Sequence, residues 1–521
     1  MKSKFPIYFS LAVILGLVLG QMLNFSNGVG FAAGSKEAKI DKLIHYIEES
    51  YVDKVDIDSL LDGAIEQILG DLDPHSVYIS KEQIAQVRES MQGNFVGIGV
   101  QFTVREDTIV VSRPIEGGPS YQAGIRSGDR ILMADLDTLY GRGLSNAEIV
   151  KKLKGEDNSR VALTVYRKAT NEQLEFNLRR GSIPIKSVPV YYMITPDVGY
   201  LKLDRFSRTS YREFKSGLDF LQGRGMQTLV LDLRGNPGGY IDIATRITDE
   251  FLPDKKLIVY TKDNQGKIQN EYASSYGAYE QQPVYVLIDE DSASASEIVS
   301  GALQDNDRGV IMGRRSFGKG LVQQELELGD GSAVRLTIAR YYTPTGRSIQ
   351  KPFSDYQDDY QSRYTRGELF SKDSIQVIDS LKFTTPKGRV VYGGGGIIPD
   401  VFVAVDTARN KQLNSIFRPR VHDDVFKYVD EKRFELEQMD LDTFALTYSV
   451  PQDLIDAYVS GSKLENMSVE QKELLANYLK ALVAQQLFDD LGYYRLDLAN
   501  DPMIKKVLEL ESQQGKDTLP L

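Results

Sequence analysis

The sequence contains no cysteine. Disulfides, a thiol nucleophile, a Cys-ligated zinc and a lipid-modified cysteine are therefore excluded. Histidine is scarce. His45, His75 and His422 are the whole supply, and none lies near the serine-rich stretch of the chain. That weakens the case for a Ser-His-Asp triad, which needs an imidazole to take the hydroxyl proton. Positive charge is in deficit, 62 Lys and Arg against 73 Asp and Glu, for a net charge of −11. This argues against a nucleic-acid surface. After the amino terminus there is no second run apolar enough to span a membrane. The remaining composition is ordinary, 41% hydrophobic and 26% charged over 521 residues, enough for roughly two to four domains.

The amino terminus gives an address. Met1-Lys-Ser-Lys4 is a short basic segment, and from Phe5 to Phe25 the chain is uncharged and mostly apolar. Such a stretch serves either as an uncleaved anchor or as a signal peptide cut near Ala32-Ala33-Gly34. With Lys2 and Lys4 inside, the rest of the chain is exported. The expected location is the cell envelope or periplasm, attached to the inner membrane by this segment.

Chemistry is concentrated in two stretches. Asp291-Ser-Ala-Ser-Ala-Ser-Glu-Ile-Val-Ser-Gly301-Ala follows the apolar strand-like run Val284–Asp289 and passes into helical spacing at Glu297, Ile298, Val299, Ala302 and Leu303. A small-residue turn between strand and helix lets a substrate backbone approach and aims the first helical amides at it. Arg315-Ser-Phe-Gly-Lys-Gly-Leu-Val-Gln323 follows and sets Lys319 between two glycines. A lysine serves as base only when neutral, and full burial can lower its pKa by about 3–5 units. Phe317, Leu321 and Val322 are candidates for the apolar niche. One serine of the first stretch is thus the expected nucleophile and Lys319 its base.

Ser-Ala-Ser-Ala-Ser-Glu-Ile, Gly-Ala-Leu-Gln-Asp and Ser-Phe-Gly-Lys-Gly-x-Val-Gln, in that order, resemble the carboxyl-terminal processing peptidases, a serine peptidase family with a Ser/Lys dyad. The family's serine-to-lysine spacing implies Ser294 as nucleophile, with Ser292 and Ser296 as rivals, and Gln323 as the residue that orients Lys319. Asp232-Leu-Arg-Gly-Asn-Pro-Gly-Gly239 is similar to another family motif. A glycine turn between strand and helix makes a nest of amides suited to an oxyanion. The resemblance implies an amide of Gly238 or Gly239, together with that of Ala295. Glu297, Asp305 and Arg234 read as structural. Leu72-Asp-Pro-His-Ser76 resembles a family signature ahead of a PDZ domain, and His75 reads as a turn residue. Tyr342-Thr-Pro-Thr-Gly-Arg-Ser-Ile-Gln350 and the glycine-rich Gly393–Asp400 are further matches.

Residues from Gly93 to about Lys168 resemble a bacterial PDZ domain. Such a unit adds an extended peptide to a sheet edge beside a helix. The implied groove runs from the Gly97-Ile98-Gly99 loop and Val100 to the helix carrying Ile149 and Leu153, with a substrate carboxylate on the loop amides. The expected organisation is an anchor or signal at 1–34, a helical region at 35–90, a PDZ domain at 91–180, a peptidase core at 181–407 with a polar insert at about 351–390, and a helical region at 408–521. The fold class is α/β and multidomain, a crotonase-like or ClpP-like serine peptidase core with an inserted PDZ domain and helical ends. The implied function is an endopeptidase cutting exported proteins near their carboxyl termini; the alternative is an inert, membrane-anchored PDZ scaffold. The expected partners are substrate carboxyl termini, the membrane and, in an oligomer, further copies of the chain. No metal, cofactor or nucleic acid is called for.

Overall fold

The computed structural model describes residues 36–168, 170–356, 358–406, 421–460 and 467–514. The expected anchor at 1–34 lies outside them. Among the described residues, no helix is long and apolar enough to cross a membrane. The chain divides into two compact units, Met1–Ser80 and Lys81–Leu521.

The first unit carries the helices Lys36–Ser50 and Ile57–Gly70 and the short strand Val77–Ile79. His75 sits in the turn after Pro74. The Asp73 carboxylate accepts from the amides of His75 and Ser76, at 2.8 and 2.9 Å, and so closes that turn.

The second unit is built on a six-stranded sheet. Its central strands, Val198–Lys202, Thr228–Asp232 and Val284–Ile288, are buried at every position. Parallel strands covered on both faces read as unbroken apolar runs, as these do. They pair in parallel with each other and with Val310–Gly313, which pairs in turn with Val401–Phe402. One face packs against the helices Ser210–Gly223, Ile241–Asp249 and Ala295–Asp305 through Phe214, Leu218, Ile247, Val299 and Leu303. The opposite face is covered by the carboxyl-terminal segment, where Leu498, Met503, Ile504 and Val507 pack on Tyr200, Val230, Tyr285 and Leu287. A separate antiparallel sheet includes Leu321–Glu327, Ala333–Tyr342, Leu257–Asp263 and Ile268–Tyr272.

A second six-stranded sheet lies within residues 100–179, in the order Val100–Arg105, Thr108–Pro114, Arg130–Ala134, Arg160–Arg167 and Glu172–Arg179, with Asp137–Thr138 off this path. The helix Asn146–Leu153 opens with a capping box between Ser145 and Glu148. The stretch from Val96 to Phe102 is not one strand. It breaks at Gly99, whose φ of +76° only glycine adopts readily. The last strand, Glu172–Arg179, pairs along its whole length with Arg160–Arg167. Leu174, Phe176 and Leu178 alternate there with the polar Glu175 and Asn177, the period of a half-buried strand.

The carboxyl-terminal helices Val421–Leu436 and Val469–Asp497 form their own core. They meet the second sheet through ion pairs: Arg105 with Asp423, Arg130 with Asp430 (2.8 Å), Lys168 with Asp430 (3.0 Å) and Arg113 with Asp489. The long helix is kinked at Phe488 and Asp489, and Asp489 takes a positive φ of 61°. Asp489 and Asp490 both reach Arg113 from this kink.

Candidate active site

Three neighbouring parallel strands deliver three turns to one end of the first sheet. Thr228–Asp232 leads into the glycine turn Gly235–Gly239, Val284–Ile288 into Asp289–Ser294, and Val310–Gly313 into Arg314–Gly320. Open parallel sheets place their sites at these carboxyl ends. The turns are tied together. The Gly235 amide donates to Asp289 Oδ1 (2.9 Å), the Ala293 amide to the Asn236 carbonyl (3.0 Å), and the Phe317 amide to the Ser292 carbonyl (3.0 Å).

Ser294 stands at the junction of turn and helix with φ +56° and ψ −111°. A non-glycine residue there carries about 1–3 kcal/mol of strain that its surroundings must hold. Strained strand–turn–helix junctions present a hydroxyl outward. Ser294 is half-buried and lines a cleft of about 640 Å³ together with Lys319, Gln323, Gly238 and Gly239. Its two neighbours are placed differently. Ser292 and Ser296 are fully buried. Ser292 Oγ donates to the Leu233 carbonyl and Ser296 Oγ to the Asn236 carbonyl, both at 2.9 Å.

Lys319 Nζ donates to Gln323 Oε1 at 2.7 Å. Gln323 lies on Leu321–Glu327, where the pairing slips between Val322 and Gln323. Such a bulge re-aims a side chain. Leu321 and Val322 line the cleft as expected. Phe317 does not: it packs under the Lys351 ammonium, 3.7 Å from its ring centre, and edge-on to Tyr356.

The serine and lysine turns share a buried carboxylate, Glu297. Its Oε2 accepts from the amides of Ser294 (2.9 Å) and Lys319 (2.8 Å). Its Oε1 accepts from Ser316 Oγ (2.5 Å) and the Gly318 amide (2.7 Å). Burial pushes the Glu297 carboxyl up, against the pull of these donors. The buried Tyr341 hydroxyl makes a second tie, lying 3.0 Å from the Ser294 carbonyl and 2.8 Å from that of Lys319. Glu297 had read as structural. It is so, but what it joins is the serine to the lysine. The Ser-x-x-Glu spacing signals only the cap of its own helix; no pattern in the sequence announced Tyr341.

In the glycine turn, Gly238 has φ +102° and Gly239 φ +150°. A Cβ on Gly238 would lie 2.8 Å from the Ala293 carbonyl and 2.9 Å from the Ala295 nitrogen, so the turn packs directly on the serine's backbone. The Gly238 amide donates to Asn236 Oδ1 at 2.9 Å. Among the described residues, no hydrogen bond occupies the amides of Gly239 and Ala295. Below the turn, burial pushes the Asp232 carboxyl up, but Arg234 and Lys202 outweigh it and hold it well below the usual range. Arg234 also reaches Asp501 at 2.6 Å. Asp305 forms a fully buried pair with Arg347 at 2.7 Å. Both arginine pairs brace the core.

The residues expected to bind a peptide lie elsewhere, in the second sheet's own unit. Val100 belongs to its terminal strand, so one edge of that strand has no partner within the sheet. Ile98, Ile149 and Leu153 are buried in the cluster beneath that strand and the Asn146–Leu153 helix, and Val100 packs on it half-buried. Gly97 ends a short strand, Asn94–Gly97, paired with Gly181–Pro184, and Ile98 and Gly99 link it to the edge strand. Among the described residues, no cluster of His, Asp and Glu could hold a metal ion.

A half-buried hydroxyl strained toward a cleft that it shares with a lysine is the equipment of acyl transfer, and the fold and cleft together define a serine-type peptidase with a PDZ domain. Residues 197–361 match peptidase family S41, 96–178 the PDZ domain, 24–83 the activating protease CtpB N-terminal domain, and 419–489 a family of unknown function. Carboxy-terminal processing protease CtpB of Bacillus subtilis is 33% identical over 347 residues, covering 65% of this chain and 71% of the relative. The carboxy-terminal-processing protease of Bartonella bacilliformis is 36% identical over 317 residues, covering 60% and 72%. Among solved structures, the photosystem II D1 C-terminal processing protease is similar at 26% identity with a TM-score of 0.38, covering 71% of this chain and 87% of that one. The chain belongs to the carboxy-terminal processing protease family.

Proposed function

We propose that the chain cuts exported proteins near their carboxyl termini by a Ser294/Lys319 dyad. The observation that carries this reading is the one cleft shared by a strained, half-buried serine and a lysine held by Gln323. Neutral Lys319 takes the Ser294 Oγ proton as Oγ attacks the scissile carbonyl carbon. The amides of Ala295 and Gly239 receive the oxyanion; the Gly238 amide, already given to Asn236, shapes the turn. The Lys319 ammonium then protonates the leaving amine, and the carboxyl-terminal fragment departs. Water attacks the acyl-serine and gives a proton to Lys319; the Ser294 Oγ then leaves and takes that proton back, and the amino-terminal fragment departs with its new carboxyl terminus. Gln323 keeps the lysine aimed.

The PDZ unit receives the substrate's end. A free carboxyl terminus pairs with the open edge at Val100, its carboxylate on the Gly97–Gly99 loop, beside the helix of Ile149 and Leu153. Phe5–Phe25 holds the chain at the membrane of the cell envelope, and self-association is part of this reading.

The test is incubation with an unstructured protein bearing an apolar tail. Ser294→Ala and Lys319→Arg each abolish cleavage, because a guanidinium cannot act as base. Full cleavage by Ser294→Ala would remove the dyad. Capping the tail as an amide is expected to raise KM more than it lowers kcat, as loss of a docking contact does.

A further inference from the structure

The polar insert at 351–390 carries no family motif, and most of it lies past the S41 match, which ends at 361. Its short helix Asp359–Thr365 nevertheless buries an arginine: Arg363 is 1% exposed. The guanidinium is spent on the backbone of the lysine's turn. Nη1 donates to the carbonyls of Arg315 (2.9 Å) and Ser316 (3.0 Å), and Nη2 to that of Phe317 (3.2 Å). Three consecutive carbonyls aimed at one point repel one another, and a cation at their focus is what allows it. On the other side of the same turn the amides of Gly318 and Lys319 point at the Glu297 carboxylate. The turn thus lies between a buried cation and a buried anion, and the Phe317–Gly318 peptide spans them, its carbonyl on Arg363 and its amide on Glu297.

The insert is built to keep that cation in place. Asp359 lies 2.9 Å from Arg363 Nε and also takes Lys351 Nζ at 2.8 Å. Glu368 holds Arg315 through two hydrogen bonds, 2.5 and 2.8 Å, and stands 4.0 Å from Arg363. The Lys351 amide adds a bond to the Gly318 carbonyl at 3.1 Å. Arg315, Arg363 and Lys351 against Asp359 and Glu368 leave the cluster one positive charge in excess, and it meets the negative ends of three peptide dipoles.

We propose that Arg363 is a positioning residue for Lys319, and that the insert serves to hold the general base's turn in register with Ser294. The proposal rests on the dyad reading above. Arg363 touches no substrate. It acts by fixing the 315–319 backbone and by keeping a positive charge behind it, which disfavours the lysine's ammonium. Fork geometry and charge are separable, because lysine keeps the charge and loses the planar fork.

The experiment compares Arg363→Gln and Arg363→Lys in the full chain. It measures kcat and KM on a peptide with an apolar tail, and the pH dependence of Ser294 labelling by a fluorophosphonate. Arg363→Gln is expected to lower kcat by about 10–100-fold, the scale of a small misplacement of a reacting group. KM should stay within about twofold, and the pH midpoint of labelling should move up. Arg363→Lys is expected to lower kcat as well but leave the midpoint where it was. Unchanged kcat and midpoint in both variants would overturn the proposal. So would loss of folding in both, since Arg363 would then hold the domain and not the base. Ser294→Ala, run in parallel, separates the two layers: if it still cleaves, the dyad is at fault and not the role of the insert.

Discussion

Replacing Glu297 with glutamine exchanges one carboxylate oxygen for an NH2 group at nearly constant volume. The four groups around it are donors: the amides of Ser294, Gly318 and Lys319, and Ser316 Oγ. If the NH2 takes the Oε2 position, the amides of Ser294 and Lys319 lose their acceptor together. If it takes the Oε1 position, Ser316 can turn its hydroxyl, but the Gly318 amide then faces another donor. At best one buried N–H is orphaned, which costs about 1–3 kcal/mol. Removing the charge recovers part of that, since burial already pushes the Glu297 carboxyl up. A net loss of about 1–2 kcal/mol remains, and it falls on the turns that carry Ser294 and Lys319. At 1.36 kcal/mol per tenfold, Glu297→Gln should lower kcat by about 5–30-fold with little change in KM. The assay is steady-state cleavage of a tailed peptide, with thermal melting as the control for folding. A folded Glu297→Gln protein whose kcat stays within about threefold of the unmutated enzyme would refute the reasoning. The shared carboxylate would then be a cap for its own helix and nothing more.

Three other perturbations test the scaffold. Gly239→Ala places a Cβ 2.2 Å from the Phe206 carbonyl at a φ of +150°. The glycine turn must shift, and kcat should fall by about 10²–10³, the usual cost of one oxyanion donor; near-normal kcat would clear Gly239 of that role. Asp430→Ala leaves Arg130 and Lys168 without their carboxylate at the joint between the PDZ unit and the carboxyl-terminal helices. It should cost up to about 3 kcal/mol and raise hydrogen exchange at 128–131 and 421–436. Burial pushes the Asp430 carboxyl up, but Arg130 and Lys168 outweigh it and hold it below its ordinary value. A depressed pKa contributes stability above the unfolded value and loses it as pH falls through the folded one. Acid below the ordinary carboxylate range should therefore loosen the same joint, and equal protection at neutral and acid pH, after correction for the intrinsic pH dependence of amide exchange, would contradict this. Ending the chain at Asp497 removes Leu498, Met503, Ile504 and Val507, each at most 3% exposed. At about 1.5–3 kcal/mol per buried side chain the loss rivals a domain's whole stability. The truncated chain should be insoluble; a soluble, active product would show that the sheet face tolerates exposure.

The parts of the site that the sequence displays are those carried by local pattern. Three unbroken apolar strands, each followed by small residues, mark the turns of Gly235–Gly239, Ser292–Ser294 and Gly318–Gly320, and adjacency of the strands brings the turns together. What stays hidden is the set of side chains that lock one turn to another. Tyr341 touches the carbonyls of Ser294 and Lys319, and the Asn236 side chain ties the Leu203 carbonyl to the Gly238 amide; both bridge segments distant in sequence. A tyrosine in a strand or an asparagine in a glycine turn carries no mark of such a role. Glu297 was visible but ambiguous, because a helix cap and a bridge between two turns use the same spacing. Arg363 is the sharpest case. A run of Asp, Tyr, Gln, Ser and Arg reads as a solvated loop, because charge in sequence is indifferent to where it ends up. A cation can leave water only if it finds acceptors, and the carbonyls of Arg315, Ser316 and Phe317 are acceptors that this core offers. The same polarity that made the insert look like surface is thus the condition for its entering the core, at the one turn that holds the lysine.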